Sequence, residues 1–241
     1  MLNVQKKFQR ANGNINVKIN NNEINRFYQS GSAKVFYPKS SQKIKELVLV
    51  NTAGGLTSGD NFFYNIDIIN KSKIFVTTQT AERVYKGINE NAEIKVTLLV
   101  DDTSDLFWIP QELILFNNCN LNRKIEVNLK SNSNFLLAES TIFGRTAMGE
   151  ILEKGFFKDN WKIYLNKKLI HAEALSLTGN IKDKLSSIAC TDNGVAICNI
   201  FISGQSFLSK EDYLTHTLRS SEIILSSHSK WNDKMLIRIV S

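Results

Sequence analysis

Residues 61–78 read NFFYNIDIINKSKIFVTT and contain two short segments rich in β-branched and aromatic residues, Asn61–Ile69 and Lys73–Thr78. Asn and Ser lie at the boundary between the two segments, and both residue types favour turns over regular structure. Short apolar runs bounded in this way are typical of β-strands. The stretch therefore predicts two consecutive strands.

Similar segments recur on both sides of this stretch. Leu121–Leu129 alternates most clearly, because Ile125, Val127 and Leu129 are separated by polar residues. Such alternation indicates a sheet with one buried face and one solvated face. The other predicted strands are Glu46–Asn51, Ala92–Val100, Asn134–Ile142, Trp161–Leu165, Lys168–Leu177, Val195–Ile202 and Lys234–Val240.

Helix signals are few. The best is Ser209–Ser220, in which Ser209 can cap the first turn and Asp212 follows three residues later. Ala81–Tyr85 and Thr146–Leu152 can each form a turn or two. Ten short strands with few helices predict a mainly β fold, and periodicity alone leaves a sandwich, a barrel and a β-solenoid open. No composition shift marks a boundary, so residues 1–241 are expected to form one domain.

The composition is that of an ordinary globular protein, with 42% hydrophobic and 22% charged residues. The net charge is +7, but the lysines are scattered and no run of five basic residues occurs, so we expect no nucleic-acid partner. No apolar run reaches the roughly 18 residues of a membrane span, and the N-terminus does not resemble a secretory signal. The expectation is a cytoplasmic protein without a membrane partner.

The densest glycine cluster is NTAGGLTSGD, Asn51–Asp60. Gly54 and Gly59 have the spacing of the outer glycines of a phosphate-binding loop, but Asp60 and Asn61 follow where that loop requires Lys and Ser or Thr. A carboxylate there would repel phosphate, so nucleotide binding is rejected. Two interpretations remain: a tight connection in which glycine supplies positive φ, or a backbone-lined surface with Asp60 exposed for function.

Two further segments combine strand-like and polar residues. Thr77–Gly87 begins as a strand and ends in a basic turn that contains Gln79, Arg83, Tyr85 and Lys86. Leu106–Phe116 is apolar on both sides of the pair Gln111 and Glu112, which predicts that this pair lies near a core. A buried carboxylate is costly unless it is paired, and Arg83 or Arg145 is the expected partner of Glu112.

The segment Glu139–Glu150 places two acids around one arginine and the glycines Gly144 and Gly149. A structural ion-pair cluster and a polar channel or partner surface are both compatible with it. In the second interpretation, Arg145 anchors an interior carboxylate from Glu112, Glu139 or Glu150 and shapes a polar passage.

Metal-binding and catalytic signatures are absent from the sequence. The three histidines, His171, His216 and His228, are far apart, and there is no His-x-His, His-Glu-x-x-His or Cys-x-x-Cys. Cys190 and Cys198 flank Asp-Asn-Gly, which suggests facing strands of a hairpin. With Cys119 they are expected to be reduced thiols. These spacings argue against a tight, preformed metal site.

Taken in order, these segments resemble the UreD (also called UreH) family of urease accessory proteins. The matching segments are Lys34 to Pro38, Asn51 to Asp60, Thr77 to Lys86, Trp108 to Glu112 and Gly144 to Glu150. Each match alone is weak, and it is their serial order that makes the resemblance specific. Ser58 departs from the family, which commonly has glycine there. The chain also ends at Ser241, where relatives usually continue, so a domain without the usual C-terminal tail is expected.

The resemblance implies a non-enzymatic maturation factor with stacked, helically wound β-sheets, β-solenoid-like, and a few short helices. It implies a complex with the UreF and UreG accessory proteins that acts on apo-urease, with GTP hydrolysis belonging to UreG. Nickel would pass in transit, and no cofactor would be tightly bound. A protein that hands nickel on should bind it weakly, through carboxylate or imidazole ligands.

The candidate residues for contacting partners or lining a channel come from the quoted segments. They are Gly54, Gly55, Gly59, Asp60, Gln79, Arg83, Tyr85, Lys86, Pro110, Gln111, Glu112, Glu139, Gly144, Arg145, Gly149 and Glu150. Asp60, Glu139 and Glu150 are the candidates for weak, transient nickel binding.

Two other functions compete with this one. A β-fold hydrolase would use two of Asp60, Glu112, Glu139 and Glu150 as an acid/base pair, which requires two carboxylates about 5–10 Å apart across a cleft. A solitary ligand-binding β-module would bind no protein partner.

Overall fold

The computed structural model describes residues 9–88, 90–219 and 225–241. The first four strands are β1 Asn12–Asn20, β2 Glu23–Gly31, β3 Ala33–Phe36 and β4 Lys45–Asn51. The next are β5 Asn61–Ile69, β6 Lys73–Thr78, β7 Glu82–Val84, β8 Ala92–Val100, β9 Asp105–Trp108, β10 Leu113–Leu115, β11 Cys119–Leu129 and β12 Asn134–Phe143. The last are β13 Lys154–Leu165, β14 Lys168–Asn180, β15 Ala196–Ser203, β16 Leu225–Trp231 and β17 Lys234–Val240.

The strands form two stacked sheets. The chain passes alternately from one sheet to the other, so that its path winds as a solenoid. The first sheet has the order β14-β13-β11-β8-β5-β1-β2, and the second runs β16-β17-β15-β12-β9-β6-β4-β3, with β10 and β7 attached to β12. From β4 to β13 the long strands alternate between the sheets and pair in parallel with the strand one coil later. Antiparallel pairs such as β1–β2 and β13–β14 close the two ends of this solenoid. The expected β-solenoid-like fold is confirmed.

Alternation explains the core between the sheets. Every second residue of β11 is buried, including Leu121, Ile125 and Val127, and these side chains face the other sheet. Apolar side chains from both inner faces form one large cluster that also contains Trp108, Phe135 and Trp161. Burial of this apolar surface is the main stabilising contribution to the fold.

Asparagine-rich turns stack at one end of the sandwich, which we call the asparagine end. Asn21, Asn70, Asn132 and Asn166 all have positive φ, a conformation that Asn tolerates better than other side chains. Side chains link one turn to the next: the Asn70 amide donates to Asn20 Oδ1 at 2.9 Å, and the Asn166 amide donates to Ser131 Oγ at 2.8 Å. The connection between β4 and β5, residues 52–60, lies at the opposite end.

The described residues form three short α-helices beside the sheets: α1 Ile181–Leu185, α2 Gln205–Leu208 and α3 Glu211–Arg219. The predicted helix at Ser209–Ser220 exists, but Ser209 ends α2 instead of capping α3, and Ser220 lies outside the described residues. Thr146–Met148 forms one 3-10 turn, as expected. None of the helices described for this chain is long and apolar enough to cross a membrane.

Other local predictions were wrong. Ala81–Tyr85 is not helical, because Glu82–Val84 pairs as a strand with Leu113–Leu115. Cys190 and Cys198 do not face each other in a hairpin, since Cys190 lies in an exposed turn and Cys198 in β15, where it pairs with β12 and β17. The strands β1 to β3 were not predicted. The residues of β2 are largely exposed and lack an alternating pattern, whereas β1 alternates buried Ile15, Val17 and Ile19 with polar residues, so its signal was present in the sequence.

Candidate functional site

The glycine-rich loop crosses from the second sheet to the first, between β4 and β5. Gly54 and Gly59 both have a φ of 77°, and Gly55 has a φ of 144°. A Cβ atom at Gly55 would lie 2.4 Å from the Tyr85 ring and 2.8 Å from the Arg83 carbonyl oxygen. The predicted tight connection with glycine at positive φ is confirmed.

Asp60 stabilises this loop from the buried side. Asp60 is 3% exposed, and its carboxylate accepts hydrogen bonds from the Ala11 and Thr57 backbone N–H groups, each at 2.8 Å. The alternative with Asp60 exposed for function is therefore wrong. Ser58 is also buried, and its hydroxyl accepts a hydrogen bond from the Ile88 N–H.

Strand β7 lies beside the loop and carries an acid that the sequence analysis did not single out. Glu82 accepts hydrogen bonds from the Asn51 amide at 3.1 and 3.2 Å and lines a cavity of about 40 Å³, room for one or two water molecules. Gln79, Gly54 and Gly55 also line this cavity. Burial raises the pKa of Glu82 from 4.5 to about 7, against the opposing effect of the Asn51 hydrogen bond. The same burial raises the pKa of the Tyr64 hydroxyl.

The segment around Pro110 joins this group through its main chain. Gln111 N–H donates to Thr78 Oγ1 at 2.9 Å, and the Glu112 carbonyl accepts from Glu82 N–H at 2.9 Å. The prediction that Gln111 lies near the core is wrong, because its side chain is exposed, while Pro110 and Glu112 are half-buried. In the described ranges no ion pair joins Glu112 to Arg83 or to Arg145.

The Gly144–Glu150 segment completes the cluster. Gly144 has a φ of 87° and turns the chain out of β12. Arg145 then pairs with Glu150 and places its guanidinium 4.2 Å from the centre of the Phe116 ring. Because the Arg145 side chain is 43% exposed, this is a surface ion pair. Arg145 therefore pairs with one of its three predicted partners, but the prediction that the carboxylate lies in the interior is wrong.

The arginine that holds interior carboxylates is Arg123. Its guanidinium forms two hydrogen bonds with Asp159, at 2.9 and 2.7 Å, and one with Glu139 at 2.5 Å. The indole N–H groups of Trp108 and Trp161 donate to Glu139 and Asp159 respectively. All of these side chains are buried, and burial raises the pKa of Glu139.

Alternation could have revealed this cluster. Arg123 continues the buried series of Ile125, Val127 and Leu129, and Asp159 lies between Phe157 and Trp161 on the inward side of β13. Arg123 and Asp159 are direct partners in the parallel register, and Glu139 reaches them from the opposite sheet. The cluster therefore ties the two sheets together.

The predicted segments thus meet at one end of the sandwich, which we call the glycine end: residues 52–60, β7, β10 and residues 144–150. Leu56 bridges to Val84, β7 pairs with β10, and β10 pairs with β12, so the segments form one continuous edge. Tyr85 packs edge-on against Phe116 and donates to the Gly54 carbonyl. Lys86 and Gly149 are exposed at this end, and Gly59 is half-buried.

The glycine end carries the small cavity beside Glu82 and, next to residues 144–150, a pocket of about 290 Å³ that Phe143, Ile151 and Leu152 help to line. Met148 is 76% exposed and Ile151 54%, and the basic side chains of Arg83 and Lys86 are exposed nearby. Glu82 lines the cavity, whereas Asp60, Glu112, Glu139 and Glu150 do not. Within residues 9–88, 90–219 and 225–241 no group of three or more His, Cys, Asp or Glu side chains could hold a metal ion. The arrangement gives no support to the hydrolase interpretation.

Comparison with known proteins gives a consistent result. The family model described as UreD urease accessory protein matches residues 10–241. A urease accessory protein UreD of Rhizobium leguminosarum bv. viciae is 35% identical over 218 residues, which cover 90% of this chain and 79% of the relative. UreD of Chelativorans sp. is 33% identical over 237 residues, covering 97% and 84%. UreD of Rhodopseudomonas palustris (strain BisB5) is 38% identical over 178 residues, covering 74% and 63%.

Proposed function

Because the chain belongs to the UreD family of urease accessory proteins, non-catalytic helpers in urease maturation, we propose that it is the scaffold that joins UreF and UreG to apo-urease. Its role in maturation implies association with urease and with other accessory proteins. We propose that these accessory proteins are UreF and UreG, and that their complex with this chain assembles the nickel centre of urease in the cytoplasm.

The observation that carries the proposal is the meeting of four of the five family segments at the glycine end; the fifth, Lys34 to Pro38, lies in and after β3. Backbone pairing and the Asp60 carboxylate hold this edge in one shape. Exposed Met148 and Ile151 lie with basic Arg83 and Lys86 on the outside. An apolar patch with a charged rim is the usual anatomy of a protein–protein contact. We assign this surface to the contact with the accessory proteins.

Nickel is the cargo of the proposed complex, and weak carboxylate contacts suit a protein that must release it. Asp60 and Glu139 already accept hydrogen bonds inside the protein, and Glu150 is held by Arg145. Glu82 adds a carboxylate that lines the cavity at the glycine end. Nickel accepts carboxylate and water oxygen as ligands. It would have to compete with the existing partners at each acid, which keeps binding weak.

GTP hydrolysis is assigned to UreG. In this chain the glycine loop continues through Asp60 into strand β5, so neither a phosphate-binding lysine nor a helix N-terminus follows it. We expect no heat of binding when the chain is titrated with GTP and magnesium. Micromolar affinity in this calorimetric measurement would contradict the assignment.

The test of the proposed function is the activation of apo-urease by purified UreF, UreG and this chain with nickel and GTP. Met148→Asp puts a charge into the exposed patch at the glycine end, and activation should fall at least about tenfold because one central contact can dominate an interface. The control is Tyr213→Asp, which adds the same charge at a 72% exposed position on α3. Equal activation by both variants would contradict the assignment of the surface. Failure of the wild-type chain to bind UreF, UreG or apo-urease would contradict the proposed function.

A further inference from the structure

The outer faces of the two sheets differ in chemistry. On the first sheet the outward row Asn14, Phe63, Lys95 and Lys124 is mostly polar, as expected for a solvated face. On the second sheet the outward row runs through Phe75, Phe107, Leu136 and Ile202, which are direct partners on neighbouring strands. The second sheet therefore has apolar residues on its outer face as well as on its core face.

Helices α2 and α3 cover one half of this apolar face. The centre of the Phe207 ring of α2 lies 4.7 Å from the centre of the Phe107 ring. Leu208, Leu214 and Leu218 belong to a separate apolar cluster with Ile202, Met235 and Ile237, and Leu136, Ile200 and Ile239 also pack against it. This covered half shows that short amphipathic helices fit the face.

The other half lies over β3, β4 and β6. Phe36 is 59% exposed and Ile44 41%, and Val48 and Phe75 are half-buried on the same side of the sheet. Phe36 pairs directly with Val48. The direct partner of Phe75 on β4 is the exposed Glu46, and Val48 lies diagonally beside Phe75. The apolar face of the covered half therefore continues to Phe36 with one acid beside it. We call Phe36, Ile44, Val48 and Phe75 the β3–β4 patch.

The rim of the β3–β4 patch is basic. Four lysines lie between residues 34 and 46, and Glu46 is the one acid in that stretch. Lys39 and Lys43 are exposed, and Lys34 and Lys45 are half-buried. An apolar strip bordered by lysines is complementary to a helix with one apolar face and acidic residues on either side of it.

We propose that the β3–β4 patch is the docking site for an acidic amphipathic helix of a partner protein, which packs on the second sheet beside α2. A helix fits better than an added strand, because the apolar row crosses the strands and β3, at the sheet edge, has four residues. The site is separate from the glycine end and is independent of the proposed function.

The probe is a labelled synthetic helix of about 18 residues, or five turns, with leucines on one face and glutamates on the others. Fluorescence anisotropy measures its binding to the intact chain. One comparison peptide has lysine in place of every glutamate, and another has the same composition in shuffled order. The acidic amphipathic peptide should bind, and both comparison peptides should bind at least about tenfold more weakly. Its affinity should also fall as salt rises.

Variants locate the site. Phe36→Ser removes the most exposed apolar side chain of the patch and should weaken binding at least about tenfold. Lys43→Glu reverses one rim charge and should weaken binding and reduce its salt dependence. The control Phe63→Ser removes a 46% exposed phenylalanine from the first sheet and should leave binding unchanged.

If the shuffled peptide bound as tightly as the acidic amphipathic peptide, charge alone would explain the binding, and the proposal would be overturned. Unchanged binding to both Phe36→Ser and Lys43→Glu would overturn it as well. Neither result would affect the activation assay at the glycine end.

Discussion

Two arginines show how differently one side chain can act in this protein. Arg145 lies at the surface over Phe116 and pairs with Glu150. Arg123 lies between the sheets and contacts Asp159 and Glu139. A surface pair is worth little because water solvates both charges, whereas removal of one partner of a buried cluster leaves a charge without compensation.

The two arginines should therefore respond differently to substitution. Arg123→Ala should lower the free energy of unfolding by about 3–5 kcal/mol, because Glu139 and Asp159 would stay buried and unpaired. Arg123→Lys should also destabilise, since lysine cannot reproduce the paired contact with Asp159. Arg145→Ala should cost less than about 1 kcal/mol. Urea unfolding of the three variants measures this, and equal losses for both alanine variants would contradict the distinction.

Gly55 and Gly54 provide a second pair with a built-in control. Gly54→Val should cost backbone strain of about 1–3 kcal/mol, because Gly54 has a φ of 77°. It should add no collision, because a Cβ there meets no atom within 4 Å. Gly55→Val adds a collision with the Tyr85 ring and the Arg83 carbonyl. We expect Gly55→Val to be insoluble or much less stable than Gly54→Val. Similar unfolding midpoints for the two proteins would show that the loop can relax.

Glu82 should make stability depend on pH. Its pKa is raised from 4.5 to about 7, so between these values the native state keeps a proton that the unfolded chain has lost. Stability from this group is complete below pH 4.5, declines up to about pH 7 and is then constant. Glu82→Gln resembles the protonated form and should stabilise the protein by about 1–3 kcal/mol at pH 8, with little effect at pH 4.5. Urea unfolding at both pH values tests this, and an equal effect at the two would contradict it.

At the scale of the elements, the sequence analysis found most of the long strands but not β1 and β2, and it did not find the short strands β7, β9 and β10. Lys73–Thr78 and Asn61–Ile69 were predicted with the bounds that the structure has, because each contains a compact apolar run. Strand β7 has three residues and forms only because β10 lies beside it. Such a strand depends on a tertiary partner that no local window contains.

The candidate site was also predicted only in part from the sequence. Sequence identified the segments that meet at the glycine end, since their glycines and polar residues interrupt apolar runs. It could not predict that Asp60 points inward or that Glu82 lines a cavity, because both depend on neighbours from other coils. It assigned the interior ion pair to Arg145 because Arg145 lies between two acids in a quoted segment, although the alternation of β11 places Arg123 on the inward side.

Helix α3 should be separable from the main core. Leu214→Ala with Leu218→Ala removes two of its contacts with the outer face of the second sheet. We expect faster amide exchange in α3 and little change in β5, β8 and β11, because the cluster under α3 is distinct from the main core. Exchange measured by mass spectrometry checks this, and uniformly faster exchange across both sheets would contradict the separation.

At the scale of the whole molecule, the register places sequence-distant residues side by side. Phe62 pairs with Ile94, Ile94 with Arg123, and Arg123 with Asp159, so each partner lies one full coil later in the chain. The sequence shows no repeat that would announce this winding. The sandwich, barrel and solenoid could therefore not be told apart from periodicity, and the resemblance to a family supplied the choice.

The parallel winding also has a kinetic consequence. Each central strand of the solenoid keeps one unpaired edge until the ribosome has released the next coil. Each pairing also requires a long loop to close, which costs conformational entropy. Proteins dominated by such distant contacts fold slowly and expose unpaired strand edges while they do so. The newly made chain therefore passes through a period in which its edges can aggregate, and synthesis together with a protein that covers one of those edges should raise the yield of folded product.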